Sequence, residues 1–211
     1  MTRIAFLAAA TAALVLAGSA AQAQNYGAYG MGAAQNQSYG PTQHDAPASD
    51  DKGPVSRDSI AIAQDLRLKG QCDKAVPILR RLSDRGEGFE MSQFDLGMCL
   101  FELAAKDAAT AEALRKEGAE WVLKSANAGF AKAQAKAVTL YLDGVGVAAD
   151  PVEAQKWALL YHNNGMRLGI GLPDIAPDLS KRLDTALDDT GRKEARARMR
   201  NWTPPAATAD E

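Results

Sequence analysis

Two cysteines, two histidines and one Ser-x-x-Lys stretch are the residues of this 211-residue chain whose types and spacing invite chemistry. Ser49-Asp50-Asp51-Lys52 has the spacing of an acylating serine and its lysine. Such a serine works only when it is preorganised. This one lies in a stretch without apolar periodicity, and the companion Ser-Asp-Asn and Lys-Thr-Gly motifs and the Gly-x-Ser-x-Gly elbow are absent from the sequence. A pattern with two specified positions also arises by chance. Asp50-Asp51 and Asp188-Asp189 read as tail charge and a solvated helix end, not as a glycosidase pair. His44 and His162 stand far apart, and no Cys-x-x-Cys or other metal-ligand spacing occurs. We therefore assign no catalytic, cofactor-binding or metal-binding residue and expect no enzyme activity.

Cys72 and Cys99 carry the sharpest signal. Cys72 opens one expected helix and Cys99 lies well inside the next, about equally far from the turn at Gly86–Gly88. An antiparallel helix hairpin would place them at nearly the same height, where a bridge is geometrically feasible. An oxidising compartment favours the bridge over two buried thiols or a redox role. Closing a segment of this length contributes roughly 3–4 kcal/mol in a chain-entropy treatment.

The elements around these residues read as helices. Ser56 or Asp58 can cap a first helix with Ile60, Ile62, Ala63 and Leu66 as apolar positions, ending at Gly70. A second covers about 73–85, with Ala75, Val76, Ile78, Leu79 and Leu82, and with Pro77 near its first turn. A third covers about 89–103. The stretch ELAAKDAATAEALRKEGAEW, rich in Ala, Glu, Lys and Leu, should continue as helix. After Gly165, GMRLGIGLPDIAPD reads as loop. Helices over about 177–187 and 192–202 follow, and the tail from 203 to 211 should fray.

Leu140 to Gly165 is the most legible junction. Leu140-Tyr141-Leu142 closes a helix, Gly144 suits a left-handed cap, and Gly146 lets the chain turn again so that Val147 drops back. Asp150 is a suitable N-cap, Pro151 fits the first helical position, and Glu153 completes a capping-box pattern. Ala154, Trp157, Ala158 and Tyr161 then form one apolar stripe. Similar spacing recurs from Ala75 to Gly86, Gly118 to Gly129 and Ala154 to Gly165, with Ile78, Trp121 and Trp157 in equivalent core positions. Gln93, Leu96-Gly97 and Leu100 likewise stand opposite Gln134, Ala137-Val138 and Tyr141.

The set Gly129, Ala133, Tyr141, Gly144, Gly146, Val147, Asp150, Ala154, Trp157 and Gly165 resembles a Sel1-like repeat, a relative of the tetratricopeptide repeat. Ala137-Val138 replaces the usual Leu-Gly, and the first unit lacks the Gly-x-Gly-Val-x-x-Asp turn. The resemblance implies an all-α fold, a short α-solenoid of antiparallel helix pairs. About two full repeats and a third first helix are present, with flanking helices as caps. It also implies an interaction scaffold. Some cysteine-rich secreted relatives are described as β-lactamases, so a penicillin-binding repeat protein is the competing expectation.

The N-terminus addresses the compartment. A basic start at Arg3, an apolar run from Ile4 to Gly18 and the small residues Ala21-Gln22-Ala23 read as a signal peptide over 1–23, cleaved between Ala23 and Gln24. The apolar run is too short for a spanning helix, so no stable membrane span is expected after cleavage. Residues 24–55 are rich in Gly, Gln, Asn, Ser and Tyr and are expected to be a flexible linker, or a self-associating segment of a surface protein. The repeat domain is expected over 56–202. The formal net charge of −2 gives no general pull toward nucleic acid. Arg192, Arg196 and Arg200 share one face of the last helix, opposite Ala195, Met199 and Trp202. That helix is expected either to cap the array or to dock an acidic partner, an anionic envelope polymer or a lipid headgroup surface. The expected function is a non-enzymatic scaffold for other envelope proteins, in the periplasm or secreted. Its binding face would be the concave one, formed by first helices, with Arg81, Lys124 and Gln155 as exposed candidates.

Overall fold

The computed structural model describes residues 57–203. The expected signal peptide with its Ala23–Gln24 junction, the linker, Ser49, Lys52, His44, Ser56 and the tail beyond Thr203 lie outside the described residues. Among the described residues, nine helices and no strand occur: α1 (Arg57–Leu68), α2 (Cys72–Ser83), α3 (Glu90–Lys106), α4 (Ala111–Asn127), α5 (Ala131–Asp143), α6 (Pro151–His162), α7 (Gly165–Gly169), α8 (Pro177–Ala186) and α9 (Asp189–Arg200). Successive helices pack on one another from α1 to α6, and α9 then lies against α6. This is an all-α array of helix pairs, α2 with α3 and α4 with α5, carrying α6 as a third first helix.

Pattern and chemistry explain the pairing. In α2, Ala75, Leu79 and Leu82 fall on one stripe and are fully buried. They meet Leu96, Cys99 and Leu100 of α3 in the first core cluster. The second cluster joins Ala119, Val122 and Ala126 of α4, Ala133, Ala137, Val138 and Leu140 of α5, and Ala154, Trp157 and Ala158 of α6. Its many alanines let helix backbones come close, so the large Trp157 fills space that the small residues leave.

The two clusters meet where α3 crosses α4, at Gly97 and Gly118. A Cβ on Gly97 would lie 2.6 Å from the Gly118 carbonyl oxygen and 2.6 Å from Val122 Cγ2. Side chains on both glycines would force the helices apart. Gly97 takes the place that Val138 holds in the next repeat, so this first crossing is the tighter one.

Cys72 and Cys99 form a disulfide across α2 and α3, with Cα atoms 5.1 Å apart. The two cysteines thus stand at nearly equal height in the α2–α3 hairpin, and both are buried.

Two glutamines brace the repeats from inside. Gln93 is 2% exposed and donates from its side-chain amide to the Gly86 carbonyl at 3.1 Å. Gln134, equally buried, donates to the Ala126 carbonyl at 3.3 Å. The Gly86 carbonyl, in the turn after α2, also accepts from the Phe89 N–H at 3.3 Å, and the Ala126 carbonyl, in the last turn of α4, from the Gly129 N–H at 3.0 Å, so each glutamine adds a second donor that ties its helix to the turn before it. Their equivalent positions were visible as a sequence repeat, but their bonds were not.

Several expectations need correction. The Ala/Glu/Lys/Leu stretch is not one helix. It breaks at Asp107–Thr110, where the Asp107 carboxylate accepts from the Ala109 backbone N–H and the Thr110 hydroxyl. Such local bonding by Asp competes with the helix ladder. Pro77 is the sixth residue of α2, beyond the first turn, on an exposed face where the helix tolerates the missing N–H. Ile62 is 42% exposed, and its neighbour Ala63 is the buried one. Ile78 and Trp121 are only half-buried, and the fully buried residues of those helices are Leu79 and Val122, one position on. The segment after Gly165 is not all loop, because α7 occupies Gly165–Gly169.

Candidate interaction surface

The junction from Leu140 to Gly165 is built by backbone constraints first. Gly144 caps α5 in the left-handed conformation at φ 67°. Gly146 has φ 71°, and a Cβ there would lie 2.7 Å from the Arg115 carbonyl carbon and 2.8 Å from Ala119 Cβ. The turn therefore presses directly on the α4 backbone, which only glycine permits. Val147 packs against the second core cluster beside half-buried Tyr141. Ala133, Ala154 and Trp157 lie inside it, and Gly129 follows the end of α4 with φ 88°.

Asp150 caps α6 by accepting from the Val152 and Glu153 backbone N–H groups, both at 3.0 Å. The reciprocal half of the expected capping box is not made. The Asp150 N–H donates to the Tyr141 carbonyl at 2.9 Å, and the Glu153 carboxylate turns to Lys156 and Arg198. Gly165 matches Gly86 and Gly129 in spacing but not in conformation: those two have φ 86° and 88°, whereas Gly165 opens α7 with Asn164 as N-cap.

Arg198, from α9, bonds Asp150 at 2.8 Å and Glu153 at 3.2 Å. Burial works against the Asp150 charge, but the Arg198 bond and the two amide donors outweigh it and hold that carboxyl below its ordinary range. The residue that starts the third first helix is thus clamped by the last helix. Trp202 continues the contact, edge-on to Trp157 with centroids 6.3 Å apart and with its indole N–H on Asn127 at 3.3 Å. The Ala195, Met199, Trp202 stripe faces inward, with Ala195 fully buried.

The first helices α2 and α4 share a charged and aromatic row. Arg80 of α2 makes a two-pronged ion pair with Glu117 of α4, one arm at 2.9 Å. The Arg80 hydrogen bond holds the Glu117 carboxyl below its usual range. Trp121, half-buried, donates its indole N–H to Glu117 at 3.3 Å. The Lys124 ammonium stands 4.9 Å over the Trp121 ring. Lys116, Glu120 and Lys124 are exposed along the same helix, as is Arg81 on α2, while Gln155 on α6 is half-buried. Spacing had marked Trp121 as core. Its neighbours Glu117 and Lys124, four and three residues away, carry the signal that its ring has a polar edge.

The end of α6 is held differently. Arg167, 8% exposed, donates to the Tyr161, His162 and Leu172 carbonyls at 3.0, 2.7 and 3.1 Å. Tyr161 donates its hydroxyl to Pro173 at 2.8 Å. This scaffold leaves Met166, Leu168 and Ile170 exposed. His162 lies in the open and pairs with Asp174.

The three arginines of α9 do not act as one face. Arg192 turns into the α8–α9 joint, donating to the Leu187 carbonyl at 2.7 Å and pairing with Asp189 at 3.1 Å. Arg196 and Arg200 are exposed. Among the described residues, no group of three or more His, Cys, Asp or Glu side chains could hold a metal ion. No helix among them is long and apolar enough to cross a membrane.

No family model matches the chain, and no curated protein matches it. A solved structure does. It is a protective antigen present in uropathogenic Escherichia coli strains, described as displaying an SLR (Sel1-like repeat) fold. The TM-score is 0.53 at 23% identity, over 69% of this chain and 30% of that one. The chain thus matches less than a third of that protein's length. The likeness establishes a Sel1-like helical repeat fold.

Proposed function

We propose that this Sel1-like array is a non-enzymatic scaffold that binds other proteins of the bacterial envelope through the face of its first helices. The observation that supports the reading best is the row Arg80, Glu117, Trp121 and Lys124. A half-buried tryptophan, fixed by a hydrogen bond and flanked by the Arg80–Glu117 ion pair, has the composition of a binding hot spot. Its geometry is set before a partner arrives, so little ordering entropy opposes binding. Lys124, Arg81 and Gln155 are the positions where a partner would gain polar contacts. The Cys72–Cys99 disulfide fits an oxidising compartment, in keeping with the leader-like residues before Ala23.

The test is affinity capture from an envelope extract, comparing the wild-type chain with Lys116→Glu/Lys124→Glu. A partner retained by the wild type and lost with the variant, at unchanged helicity, is the expected result. An identical set of captured proteins removes this face from the account. Covalent labelling of the chain by a fluorescent penicillin would instead favour the penicillin-binding reading.

A further inference from the structure

We propose that Lys193, Arg196 and Arg200 of α9 form a docking stripe for an acidic protein segment, separate from the first-helix face and independent of it. The stripe follows from sorting the charges of α9 by what they touch. Arg192 is consumed by the Leu187 carbonyl and Asp189. Arg198 is consumed by Asp150, Glu153 and Glu194. Lys193, Arg196 and Arg200 are left, all exposed and without an acidic partner among the described residues.

Their spacing of three and four puts them on one side of the helix, opposite buried Ala195. The element packed against α9 cannot neutralise them. Asp150 and Glu153 of α6 already hold Arg198, and Glu153 also holds Lys156. Three uncompensated cations thus stand in a row on a chain whose formal net charge is −2. The row is about 10 Å long, which matches about three or four residues of extended chain.

The chemistry favours carboxylates on a polypeptide. Arginine presents a planar fork that fits a carboxylate in two-pronged geometry, and two of the three cations are arginines. A lipid surface fits less well. Stable surface binding combines cations with apolar side chains that enter the bilayer, and the large exposed apolar residues, such as Leu168 and Ile170, lie on other elements, not on α9. A helix-dipole role accounts for Arg200 at most, because the dipole acts only within the last turn.

The experiment is fluorescence anisotropy with a labelled octaglutamate peptide on the full chain, with octaglutamine as control. Expected is binding of octaglutamate only, weakening as salt rises. Lys193→Glu/Arg196→Glu/Arg200→Glu should weaken it roughly ten-fold or more, and Arg196→Gln/Arg200→Gln by less. Thermal melting should be nearly unchanged in both. Lys116→Glu/Lys124→Glu should leave octaglutamate binding intact, which separates failure here from failure of the first-helix face. The proposal is overturned if octaglutamate does not bind, or if the Lys116/Lys124 variant loses as much as the α9 variant. Tighter binding to phosphatidylglycerol vesicles or to polyphosphate than to the peptide would overturn the acidic-protein assignment.

Discussion

Gly97 on α3 and Gly118 on α4 bring two helix backbones into contact, and this crossing joins the two halves of the core. Gly97→Ala places a methyl group 2.6 Å from the Gly118 carbonyl oxygen, whereas Gly118→Ala meets its nearest atom at 3.0 Å. Overpacking of this kind costs about 1–3 kcal/mol. Gly97→Ala should therefore be the more destabilising of the two in urea unfolding, although alanine has the higher helix propensity. Equal or raised stability for Gly97→Ala would mean that the crossing is looser than described.

Reduction of Cys72–Cys99 should lower stability by roughly 3–4 kcal/mol, because the bridge joins residues 27 apart in sequence. Melting with and without dithiothreitol measures this. Thiol titration of the unfolded, unreduced chain should find no free thiol. Two free thiols would leave the cysteines as ordinary core residues.

Asp150 should matter through two separate bonds. Asp150→Ala removes the cap of α6 and should cost about 1 kcal/mol. Asp150→Ser keeps a capping oxygen but loses the charge that Arg198 binds, so its deficit should be smaller and should vanish at high salt. A double-mutant cycle with Arg198→Ala isolates the second bond.

Acid should destabilise the array. Glu117 and Asp150 titrate lower in the folded chain than ordinary carboxyls. Their contribution is therefore present above the ordinary carboxylate range and is lost as pH falls through the lowered folded values. Asp95 acts in the opposite sense. Burial raises its carboxyl against the opposing charges of Arg67 and Lys132, so protonation relieves a cost. Between pH 5 and pH 3, Glu117→Gln should flatten the fall in stability, whereas Asp95→Asn should steepen it, as measured by urea midpoints.

The legible part of this chain was its backbone grammar. Asp150, Pro151 and Gly144 announce a cap, a first turn and a left-handed residue because each has few alternative uses. Tertiary bonding was less legible. Gly165 matched its spacing in the earlier units, yet Asn164 caps α7 and bonds Gln134 at 2.8 Å, and this redirects the chain. Arg192, Arg196 and Arg200 looked equivalent by period, but only packing tells that Arg192 is spent on the α8–α9 joint. Periodicity identifies a face, and the neighbours decide which side chains on it remain available.

The central claim is that the first-helix row is a binding surface. Site-specific photo-crosslinking in the envelope tests it most directly, with benzoylphenylalanine replacing Lys124, Glu120 or, as a control on α3, Ala105. The account predicts one discrete protein adduct shared by positions 124 and 120 and absent at 105. No adduct at 124 and 120, or the same adducts at all three positions, would contradict it.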